Sequence, residues 1–460
     1  MALTKVSYSM IEGATVNVLD FGAIGDNVAD DTAAIQAAID SITAGVIYFP
    51  VGTYKITSTI NIDATTKASL NFLGDGLGSE IIYSGITPDI PMFYYFGPSS
   101  GNYVFVEYLQ FRNAFRTSDT AQNGIIAWRF GKKDAAALDG GGGVSNVTFY
   151  KNQIVHCDIG LEIYAESDQF TIEENFFFVW NEYAVLCLTN PLSVSGTGSA
   201  SVRVHKNLMQ GGQTGSWAIK FRGANVTAQS NVIQNATNGA GIWLEASCTG
   251  FNISNNYTES PGNANFILCD GASSGSIENN QMGAYPGANI IDIRGTCRNI
   301  NIGQNFYPTS GGQPSALVLI NAGATGINII GDQYQTTPGA PITGTTNFNV
   351  DGSGNVSSLT SLKAPLIASE SSLVNIAGSS SYTLFTAVAN ACYLVNISQA
   401  GENYAATAIV TVIGGSGAVN INSIYSTNAN LSITATGLAV KANNGIGNTR
   451  TIFYGFTRIA

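Results

Sequence analysis

FTIEEN at residues 170–175, VRVHKN at 202–207, VTAQSN at 226–231 and FNISNN at 251–256 are four versions of one short pattern that decides the fold. Each version has apolar residues five and three positions before a final asparagine, and the asparagines recur at intervals of 23 to 32 residues. The series is Asn152, Asn175, Asn207, Asn231, Asn256, Asn280 and Asn305, with Asp332 in the same position. The period is too short for paired helices and lacks the leucine pattern of leucine-rich repeats. It predicts an all-β solenoid, a right-handed, single-stranded parallel β-helix with one coil per repeat.

The pattern also predicts which residues face the core, because side chains alternate between the two faces of a strand. Residues at minus five and minus three are predicted to point inward, and those at minus four and minus two outward. We expect each asparagine to occupy a corner where left-handed geometry is tolerated, with its amide bonded to the same corner of the next coil. The long interval between Asn175 and Asn207 predicts an inserted loop at residues 190–201.

Composition excludes several classes of protein. The 460 residues are 45% hydrophobic but only 11% charged, with 52 glycines, which predicts a folded chain with a large core. The net charge of −11 argues against a nucleic-acid partner, because phosphate binding needs clustered lysine and arginine. No apolar run is long enough for membrane insertion, and residues 1–10 carry no signal-peptide pattern.

The six cysteines and two histidines show no metal-ligand spacing. No metal and no cofactor are therefore expected, and the cysteines are predicted to be buried free thiols. Cys187 falls at an inward strand position, whereas Cys269 falls near an outward one.

Residues 18–62 contain the sharpest local motif, which begins with VLDFGA and includes VIYFPVGTY at residues 46–54. Between these segments, Asp30 or Asp31 is a good helix N-cap, and Ile35, Ala38, Ile39 and Ile42 form an apolar stripe at helical spacing. We predict a helix near residues 30–42 that covers the open end of the solenoid, where the core would otherwise be exposed.

This motif, together with NFLGDG at residues 71–76, resembles the pectate-lyase-like parallel β-helix family that includes bacteriophage tailspikes and capsular-polysaccharide depolymerases. Residues 4–14 are similar to the short lead-in of phage tail proteins, so residues 1–17 are expected to attach the chain to the virion. The resemblance implies a homotrimer on the virion tail, joined to a tail or baseplate adaptor protein, with a bacterial surface polysaccharide as ligand. Family members act as hydrolases, lyases or deacetylases, or only bind, so the motif predicts fold rather than chemistry.

The chain is predicted to contain two structural parts. The asparagine period fades after Asp332, which places the solenoid at residues 18–345 and a linker at 346–365. From residue 366 the pattern changes to alternating segments, at residues 393–397, 408–413, 419–424, 431–440 and 451–456. Such segments are typical of antiparallel strands, so residues 366–460 are predicted to form a β-sandwich that either clamps a trimer or binds carbohydrate.

Chemistry on a solenoid must use outward residues, because the inward ones form the core. The strand before each asparagine places Tyr150, Glu173 and His205 at minus two on successive coils. Glu173 and His205 are predicted to form either an acid–base pair or a weak surface ion pair.

An earlier strand in each coil has an outward face rich in charge and aromatic residues. One predicted column contains Glu162, Lys220, Trp243, Ile267 and Asp292; the other contains Tyr164, Arg222, Glu245, Cys269 and Arg294, followed by Asp270. Trp243 offers a flat surface for a sugar ring, and Arg222 and Arg294 suit a sugar carboxylate. The predicted substrate-binding residues are Trp243, Arg222, Lys220, Arg294, Tyr164 and Glu162. The alternative is a ladder of charges that neutralise one another.

Glycoside hydrolysis needs two carboxylates, about 5 Å apart for retention and about 6.5–9.5 Å apart for inversion of configuration. The predicted acid is Glu245 or Glu259, and its predicted partner is Asp270 or Asp292. Residues 256–259, NYTE, are also similar to an Asn-Tyr-x-Glu pattern of the family. Elimination on a uronate would need a base and a cation, for which Lys220, Arg222, His205 and Tyr164 are candidates. Hydrolysis is the main prediction, with polysaccharide lyase activity and non-catalytic receptor binding as alternatives.

Overall fold

The computed structural model describes the greater part of the N-terminal region and the strands of the C-terminal region. The described residues are 15–67, 69–97, 103–114, 123–131, 143–164, 167–188, 200–234, 240–246, 248–259, 265–282, 289–307, 316–320, 323–330, 333–334, 342–344, 372–376, 380–386, 392–399, 405–413, 418–426, 431–436, 439–444 and 450–458. The chain divides into two compact units, Met1–Ser357 and Ser358–Ala460. The predicted lead-in at 4–14, linker at 346–365 and most of the inserted loop at 190–201 lie outside the described residues, as does Asp332.

The N-terminal unit is the predicted parallel β-helix, in which successive coils each contribute strands to three parallel sheets. Sheet A holds the strands before the asparagines: β1 (Val16–Asn17), β3 (Ala44–Phe49), β6 (Ser69–Gly74), β9 (Val104–Glu107), β12 (Ser145–Tyr150), β15 (Asp168–Glu173), β18 (Ala200–His205), β21 (Thr227–Gln229), β24 (Asn252–Ser254), β27 (Ser273–Glu278), β30 (Arg298–Gly303) and β33 (Thr325–Ile330).

Sheet B holds the strands that follow the asparagines: β2 (Asp26–Asp30), β4 (Gly52–Ile56), β7 (Ser79–Tyr83), β10 (Gln110–Asn113), β13 (Gln153–Val155), β16 (Phe176–Phe178), β19 (Leu208–Gln210), β22 (Val232–Gln234), β25 (Tyr257–Glu259), β28 (Gln281–Met282), β31 (Phe306–Tyr307) and β34 (Gln333–Tyr334). Sheet C completes each coil: β5 (Ile60–Asp63), β8 (Pro91–Phe96), β11 (Ile126–Phe130), β14 (Ile159–Ile163), β17 (Tyr183–Cys187), β20 (Trp217–Phe221), β23 (Ala240–Leu244), β26 (Ile267–Asp270), β29 (Asn289–Arg294), β32 (Ala316–Ile320) and β35 (Ile342–Gly344).

The asparagine ladder, formed by the seven asparagines from Asn152 to Asn305, fills the turn between sheets A and B. The Oδ1 atom of Asn256 accepts hydrogen bonds from the backbone N–H of Asn231 at 3.0 Å and from its Nδ2 at 2.9 Å. The Nδ2 of Asn231 also donates to the carbonyl of Val204 in the preceding coil, at 2.8 Å. The same three bonds recur from coil to coil, and all seven side chains are buried. The predicted contact between corners of adjacent coils is confirmed.

The left-handed residue of each corner is not the asparagine, contrary to our prediction. It is the residue immediately before, with φ between 51° and 57° at Lys151, Glu174, Lys206, Ser230, Asn255, Asn279 and Gln304. A left-handed residue reverses the chain direction sharply, which turns the asparagine side chain inward. Burial, rather than tolerance of left-handed geometry, therefore selects asparagine, because only a buried amide donates and accepts along the ladder.

The predicted capping helix is α1 (Thr32–Asp40), and it buries Ile35, Ala38 and Ile39. Two 3-10 helices, Val18–Phe21 and Gly76–Gly78, lie in the same region. Asp31 occupies the N-cap position but makes no side-chain cap hydrogen bond. Its carboxylate instead accepts from the backbone N–H groups of Ile24 at 2.7 Å and Gly25 at 3.2 Å, and so binds the preceding turn to the helix. No helix in the described part of the chain has the length and apolar character needed to cross a membrane.

The core of the solenoid is aromatic near its N-terminal end and aliphatic further along. The Trp128 ring stacks on Phe93 at 4.5 Å and on Phe130 at 5.3 Å between ring centroids. Later coils place Ile219, Ile242, Ile267 and Ile291 at the equivalent inward position of sheet C. Burial of each side chain of this size contributes roughly 1.5–3 kcal/mol to stability. Because every coil buries such side chains, this stabilisation is spread along the solenoid axis.

The C-terminal unit contains two antiparallel sheets, in agreement with the predicted β-sandwich. The five-stranded sheet holds β36 (Ser372–Ile376), β43 (Arg450–Arg458), β38 (Cys392–Gln399), β39 (Ala405–Ile413) and β40 (Ala418–Ser426), and the three-stranded sheet holds β37 (Ser380–Thr386), β42 (Ala439–Asn444) and β41 (Leu431–Thr436). The single segment predicted at 431–440 is wrong, because β41 and β42 pair with each other as two antiparallel strands.

Replacing Asn231 by alanine tests the energetic role of the ladder. The change removes the Oδ1 that accepts from the backbone N–H of Asn207 and the Nδ2 that donates to the carbonyl of Val204, while the backbone N–H of residue 231 still donates to the Oδ1 of Asn256. Each unsatisfied buried group costs about 1–3 kcal/mol. We therefore expect the free energy of unfolding of the N-terminal unit to fall by about 2–5 kcal/mol. Urea unfolding followed by circular dichroism measures this change. An alanine at Asn301, an exposed residue of sheet A, is the control and should shift stability by less than about 0.5 kcal/mol; equal effects would contradict the role given to the ladder.

Candidate functional site

The outward face of sheet C carries two columns of side chains that run along the solenoid axis. The central column is Tyr94, Arg129, Glu162, Leu186, Lys220, Trp243, Leu268, Asp292 and Leu319. The prediction that Ile267 belongs to this column is wrong, because Ile267 pairs with the inward residues Ile242 and Ile291. The turn from sheet C back to sheet A varies in length, so counting backward from the asparagines slips by one residue on this coil.

The second column lies two residues further along each strand. It contains Arg222, Glu245, Asp270 and Arg294 on four successive strands, since Leu244 pairs with Cys269 and Asp270 pairs with Arg294. The same slip displaced Cys269 in our prediction, and the structure buries this thiol among the inward residues. Two arginines therefore flank two carboxylates along one line.

Lys220 is the centre of a compact cluster of charge and aromatic rings. Its Nζ lies 3.7 Å from the ring centroid of Trp243 and 5.6 Å from that of Tyr183. The same Nζ contacts the Glu245 carboxylate at 2.5 Å, and Arg222 binds the other carboxylate oxygen. Trp217 packs beside Trp243, with ring centroids 5.4 Å apart. We call these six residues the Lys220 cluster.

The predicted alternative of mutually neutralised charges describes part of this face. The side chains of Lys220 and Glu245 are only 11% and 13% exposed, so each charge is largely removed from water and balanced by the other. Arg222 remains 32% exposed and Trp243 is half-buried. The cluster thus combines a largely buried ion pair between Lys220 and Glu245 with a guanidinium and an indole ring that solvent still reaches.

A second ion pair occupies the same face three strands nearer the N-terminus. The Nε of Arg129 donates to buried Glu162 at 2.6 Å, and the Tyr164 hydroxyl donates to the same carboxylate. Tyr94 and Tyr164 place their rings 5.8 Å and 5.9 Å from the Arg129 guanidinium. Glu162 and Tyr164 are 2% and 3% exposed, so they support Arg129 and cannot present themselves to a ligand as predicted.

The four predicted catalytic acids do not share one environment. Asp270 is exposed and lies beside Glu245. Asp292 is fully buried and accepts two hydrogen bonds from Arg294, at 2.9 Å and 2.6 Å, and one from Asn265. Glu259 ends β25 on sheet B, where it accepts from the Gln234 side chain at 3.1 Å. Only Glu245 and Asp270 are brought together on an accessible face.

The minus-two column of sheet A has the predicted register, with Tyr150, Glu173 and His205 on successive strands. The predicted contact between Glu173 and His205 is replaced by two others. The His205 Nε2 lies 2.9 Å from the Thr227 hydroxyl, and Glu173 binds the Lys206 Nζ at 2.8 Å. Burial lowers the pKa of His205 below its ordinary value, so the ring is neutral at neutral pH.

Sheet B presents an outward feature that our sequence analysis missed. Phe176, Leu208, Val232 and Tyr257 form one outward column on four successive strands, with Phe178 beside Phe176 at 5.7 Å between ring centroids. We call these five residues the apolar strip. Its signal in the sequence is the apolar residue that directly follows the asparagine before each of these strands. Examples are the first residues of FFF at 176–178 and of LMQ at 208–210.

Neither thiol nor metal chemistry is evident among the described residues. The five cysteines whose side chains the structure describes are free and buried, and burial raises the pKa of Cys297 to about 11. Within the same set of residues, no group of three or more histidine, cysteine, aspartate or glutamate side chains is placed to hold a metal ion. The side chain of Cys392 lies outside the description.

Comparisons with known proteins agree on the fold. The model of the family "Rhamnogalacturonase A/epimerase, pectate lyase-like" matches residues 15–269. The Mannuronan C5-epimerase AlgE4 of Azotobacter vinelandii is 53% identical over 72 residues, which are 14% of this chain and 13% of that protein. The chain spans 13% or less of each of the six mannuronan epimerases it matches.

Solved structures are similar to this chain at low sequence identity. PfbA, a surface adhesin of Streptococcus pneumoniae, superposes with a TM-score of 0.51 and 14% identity, covering 75% of this chain and 94% of that one. The tailspike protein gp49 of Acinetobacter baumannii bacteriophage Fri1, a capsular polysaccharide depolymerase, gives a TM-score of 0.43 and 10% identity, covering 97% and 86%.

Replacing Glu245 by glutamine tests the Lys220 cluster. The substitution leaves the largely buried Lys220 ammonium without its carboxylate, so we expect a loss of about 3 kcal/mol in the free energy of unfolding. Glutamine at Glu173, whose partner Lys206 is 58% exposed, is the matched control and should cost less than about 1 kcal/mol. Urea unfolding of both variants measures the difference, and similar losses would show that the cluster is energetically an ordinary surface pair.

The lowered pKa of His205 predicts a pH dependence of stability. The unfolded chain takes up a proton at His205 near the ordinary pKa of 6.5, whereas the folded chain binds it only at lower pH. Stability should therefore fall as the pH drops below about 6.5, and the fall should be smaller in His205→Gln. Unfolding midpoints of the unchanged protein and of His205→Gln, measured above and below this pH, test the expectation. Identical pH profiles for the two proteins would refute it.

Proposed function

The chain belongs to the Rhamnogalacturonase A/epimerase, pectate lyase-like family, and on that premise we propose that it binds and cleaves a polysaccharide on the outer face of sheet C. The substrate class is a bacterial surface glycan, such as a capsule, exopolysaccharide or O-antigen. The reaction is endo-acting glycoside hydrolysis.

The observation that carries this proposal is the placement of Glu245 and Asp270. Glu245 directly follows β23 and Asp270 is the last residue of β26, and these two strands are hydrogen-bonded neighbours in sheet C. Neighbouring strands lie about 4.8 Å apart, and the two carboxyl groups of a retaining glycosidase lie about 5–5.5 Å apart. We therefore infer a retaining mechanism with a covalent glycosyl–enzyme intermediate, in which the side chains of Glu245 and Asp270 approach each other over this one-strand spacing.

The environments of the two groups suggest different roles. Lys220 and Arg222 hold the Glu245 carboxylate in place and balance its charge, which suits a nucleophile that attacks the anomeric carbon from a fixed position. Asp270 is exposed until a glycan covers it. Its accessible side chain suits the acid that protonates the leaving oxygen and then activates water.

Sugar rings would rest against the indole of Trp243, which solvent still reaches. Arg222 and Arg294 lie at the two ends of the carboxylate pair, and their side chains are 32% and 50% exposed. Each guanidinium offers paired donors that match a carboxylate or neighbouring hydroxyls. Glu162 and Tyr164 would act indirectly, by holding Arg129.

Hydrolysis is favoured over elimination because two of the four residues considered for elimination, His205 and Tyr164, lie outside the Lys220 cluster that holds the other two. His205 lies on sheet A, whereas Lys220 and Arg222 lie on sheet C, and Tyr164 is buried against Glu162. Elimination needs a base and a cation around one uronate. That set of four does not form one site in the chain.

A position on a bacteriophage tail, with action at the bacterial surface, is part of the proposal. Its support is the resemblance of residues 4–14 to the lead-in of phage tail proteins and of residues 18 to about 85 to the family that includes tailspikes. Loss of capsule from encapsulated bacteria after treatment with the purified protein would be the corresponding activity.

Substitution of the two carboxylates tests the mechanism. We expect Asp270→Asn and Glu245→Gln each to lower the rate of release of new reducing ends by about 10²–10⁴-fold. Asp270→Asn is the sharper variant, because its exposed side chain makes little contribution to folding. Candidate capsular polysaccharides are incubated with each protein, and reducing ends and product masses are measured.

The control is Glu278→Gln, which removes an outward carboxylate from sheet A and should retain full activity. Full activity in Asp270→Asn would remove this residue from the mechanism. Products with the ultraviolet absorbance of an unsaturated uronate would establish elimination instead. Glycan that binds but stays intact in prolonged incubation would establish a receptor-binding protein.

Trp243→Ala tests the binding role of the indole. Loss of one sugar-stacking ring should raise the KM by about tenfold, a cost of roughly 1.4 kcal/mol, while kcat changes less. Phe105→Ala, at an exposed outward position of sheet A, is the control. An unchanged KM in Trp243→Ala would place the glycan elsewhere.

A further inference from the structure

The corner between sheets A and B changes its side chains along the solenoid. In the later coils, the left-handed residue of this corner is Ser230, Asn255, Asn279 or Gln304. In the four preceding coils, the left-handed residue is Tyr108, Lys151, Glu174 or Lys206. Asparagine tolerates left-handed geometry well, whereas a bulky residue such as Tyr108, with a φ of 56°, is strained there. Folding alone therefore does not explain a tyrosine at this position.

The side chains of the early corner converge on Lys151. Its Nζ lies 4.9 Å from the ring centroid of Tyr150 and 5.8 Å from that of Tyr108. The two rings meet edge to face, with centroids 6.0 Å apart. The Glu174 carboxylate lies 3.7 Å from the Lys151 Nζ and 3.4 Å from the Tyr150 hydroxyl. We call these four residues the Tyr108 cluster.

The Tyr108 cluster is open to solvent, and its polar groups hold one another only loosely. Tyr108 and the Glu174 side chain are each 36% exposed, and the Lys151 side chain is 41% exposed. Contacts of 3.4–3.7 Å are longer than a good hydrogen bond. In the Lys220 cluster, by contrast, the Lys220 ammonium and the Glu245 carboxylate are largely buried and 2.5 Å apart. The ammonium and the carboxylate of the Tyr108 cluster thus keep the capacity to bind a ligand.

We propose that the Tyr108 cluster is a second glycan-binding site, which holds the polysaccharide without cleaving it. The class of ligand, a bacterial surface polysaccharide, rests on the proposed function. The site itself lies at the edge of sheet A and shares no residue with the Lys220 cluster on sheet C. A sugar ring rests on the accessible part of the Tyr108 ring, and its hydroxyls bind the Lys151 ammonium and the Glu174 carboxylate.

The composition of the Tyr108 cluster matches the chemistry of a sugar. A pyranose has an apolar face of C–H groups and a rim of hydroxyls that both donate and accept hydrogen bonds. An aromatic ring offers apolar area with a fixed geometry. The Lys151 ammonium supplies donors and the Glu174 carboxylate supplies acceptors beside that ring. An aromatic surface with a few convergent polar groups is the usual composition of a small-ligand site.

The charges around the cluster argue against other classes of ligand. Lys206 binds Glu173 at 2.8 Å and lies 3.8 Å from Glu174, and Glu107 pairs with Tyr150 on the neighbouring strand. Lysines and glutamates are therefore interleaved, without the clustered positive charge that a nucleic acid or an anionic membrane requires. The centre of a protein interface is depleted of charged residues, whereas a lysine is central here. Uncharged sugar hydroxyls need no net charge.

A second site would keep the protein attached to a long polymer. Once one site is occupied, binding at the other becomes intramolecular, so the affinity for the polymer exceeds that of either site alone. Sheets A and C are different faces of the same coils. A short oligosaccharide cannot reach from one face to the other, so the gain is confined to long chains.

Affinity electrophoresis in gels that contain purified capsular polysaccharides tests the site. Tyr108→Asn and Lys151→Asn each remove one ligand contact and introduce the residue that later coils use at this corner, so the fold is kept. Phe105→Ala is the matched control, because Phe105 is an outward aromatic residue of sheet A with 37% exposure and lies outside the cluster. The variants are made in Asp270→Asn protein, so that the proposed cleavage does not shorten the polymer. Unfolding midpoints are measured for each variant.

We expect Tyr108→Asn and Lys151→Asn each to raise the apparent Kd for the polymer by about tenfold, with unchanged unfolding midpoints. Phe105→Ala should leave the Kd unchanged. In protein that retains Asp270, the same two changes should raise the KM for the polymer about tenfold and leave kcat unchanged. Both constants for short oligosaccharides cut from that polymer should also stay the same.

The outcomes separate this inference from the proposed cleavage. An unchanged Kd in Tyr108→Asn and Lys151→Asn would overturn the second site, even where reducing ends are released. A loss of binding as large in Phe105→Ala as in Tyr108→Asn would overturn it as well, since the contact would then belong to the sheet face in general. Weaker binding of the two cluster variants to a glycan that is never cleaved would support the second site and refute hydrolysis. If no capsular polysaccharide retards the unchanged protein, both proposals fail.

Discussion

The buried hydrogen bonds between asparagines in neighbouring coils hold the solenoid in register. Each amide joins two coils directly and a third through a strand carbonyl. A shift of one residue in any coil would break these bonds and would also exchange the inward and outward faces of a strand. The columns on all three sheets therefore depend on the ladder: the polar column on sheet A, the apolar strip on sheet B and the Lys220 cluster on sheet C. The asparagine ladder has no catalytic or binding role of its own. The residues proposed for those roles are aligned because the ladder holds the coils in register.

Three faces built from one repeat have acquired different properties. Sheet C concentrates charge and aromatic rings, and it balances most of that charge internally, while Arg222, Arg294, Asp270 and part of Trp243 remain accessible to a ligand. Sheet B carries the apolar strip in the middle of the solenoid. Since neighbouring sheets share every coil, ligands bound on two faces are held at a fixed distance by covalent structure alone.

The sequence was sufficient for the fold and for the register of sheet A, because the asparagines mark that register directly. It was less reliable for sheet C, where the turn back to sheet A varies in length, and Ile267 and Cys269 were assigned to the wrong face. It missed sheet B, whose strands are only two or three residues long in most of the later coils. Asp31 occupies the predicted N-cap position, but its carboxylate binds the backbone of Ile24 and Gly25 instead of the first turn of the helix. The burial of Glu162 and Asp292 depends on what covers them in three dimensions, which no local pattern encodes.

The repeating register separates the evolution of recognition from the evolution of the fold. Inward residues and the asparagine amides are under strict steric and hydrogen-bonding constraint, whereas an exposed outward residue can change at a cost of less than about 0.5 kcal/mol. A descendant of this chain could therefore acquire a new ligand by substituting one rung of sheet C at a time, with every intermediate still folded. The ligand specificity of one face can therefore change one outward residue at a time, while the core and the asparagine ladder stay the same.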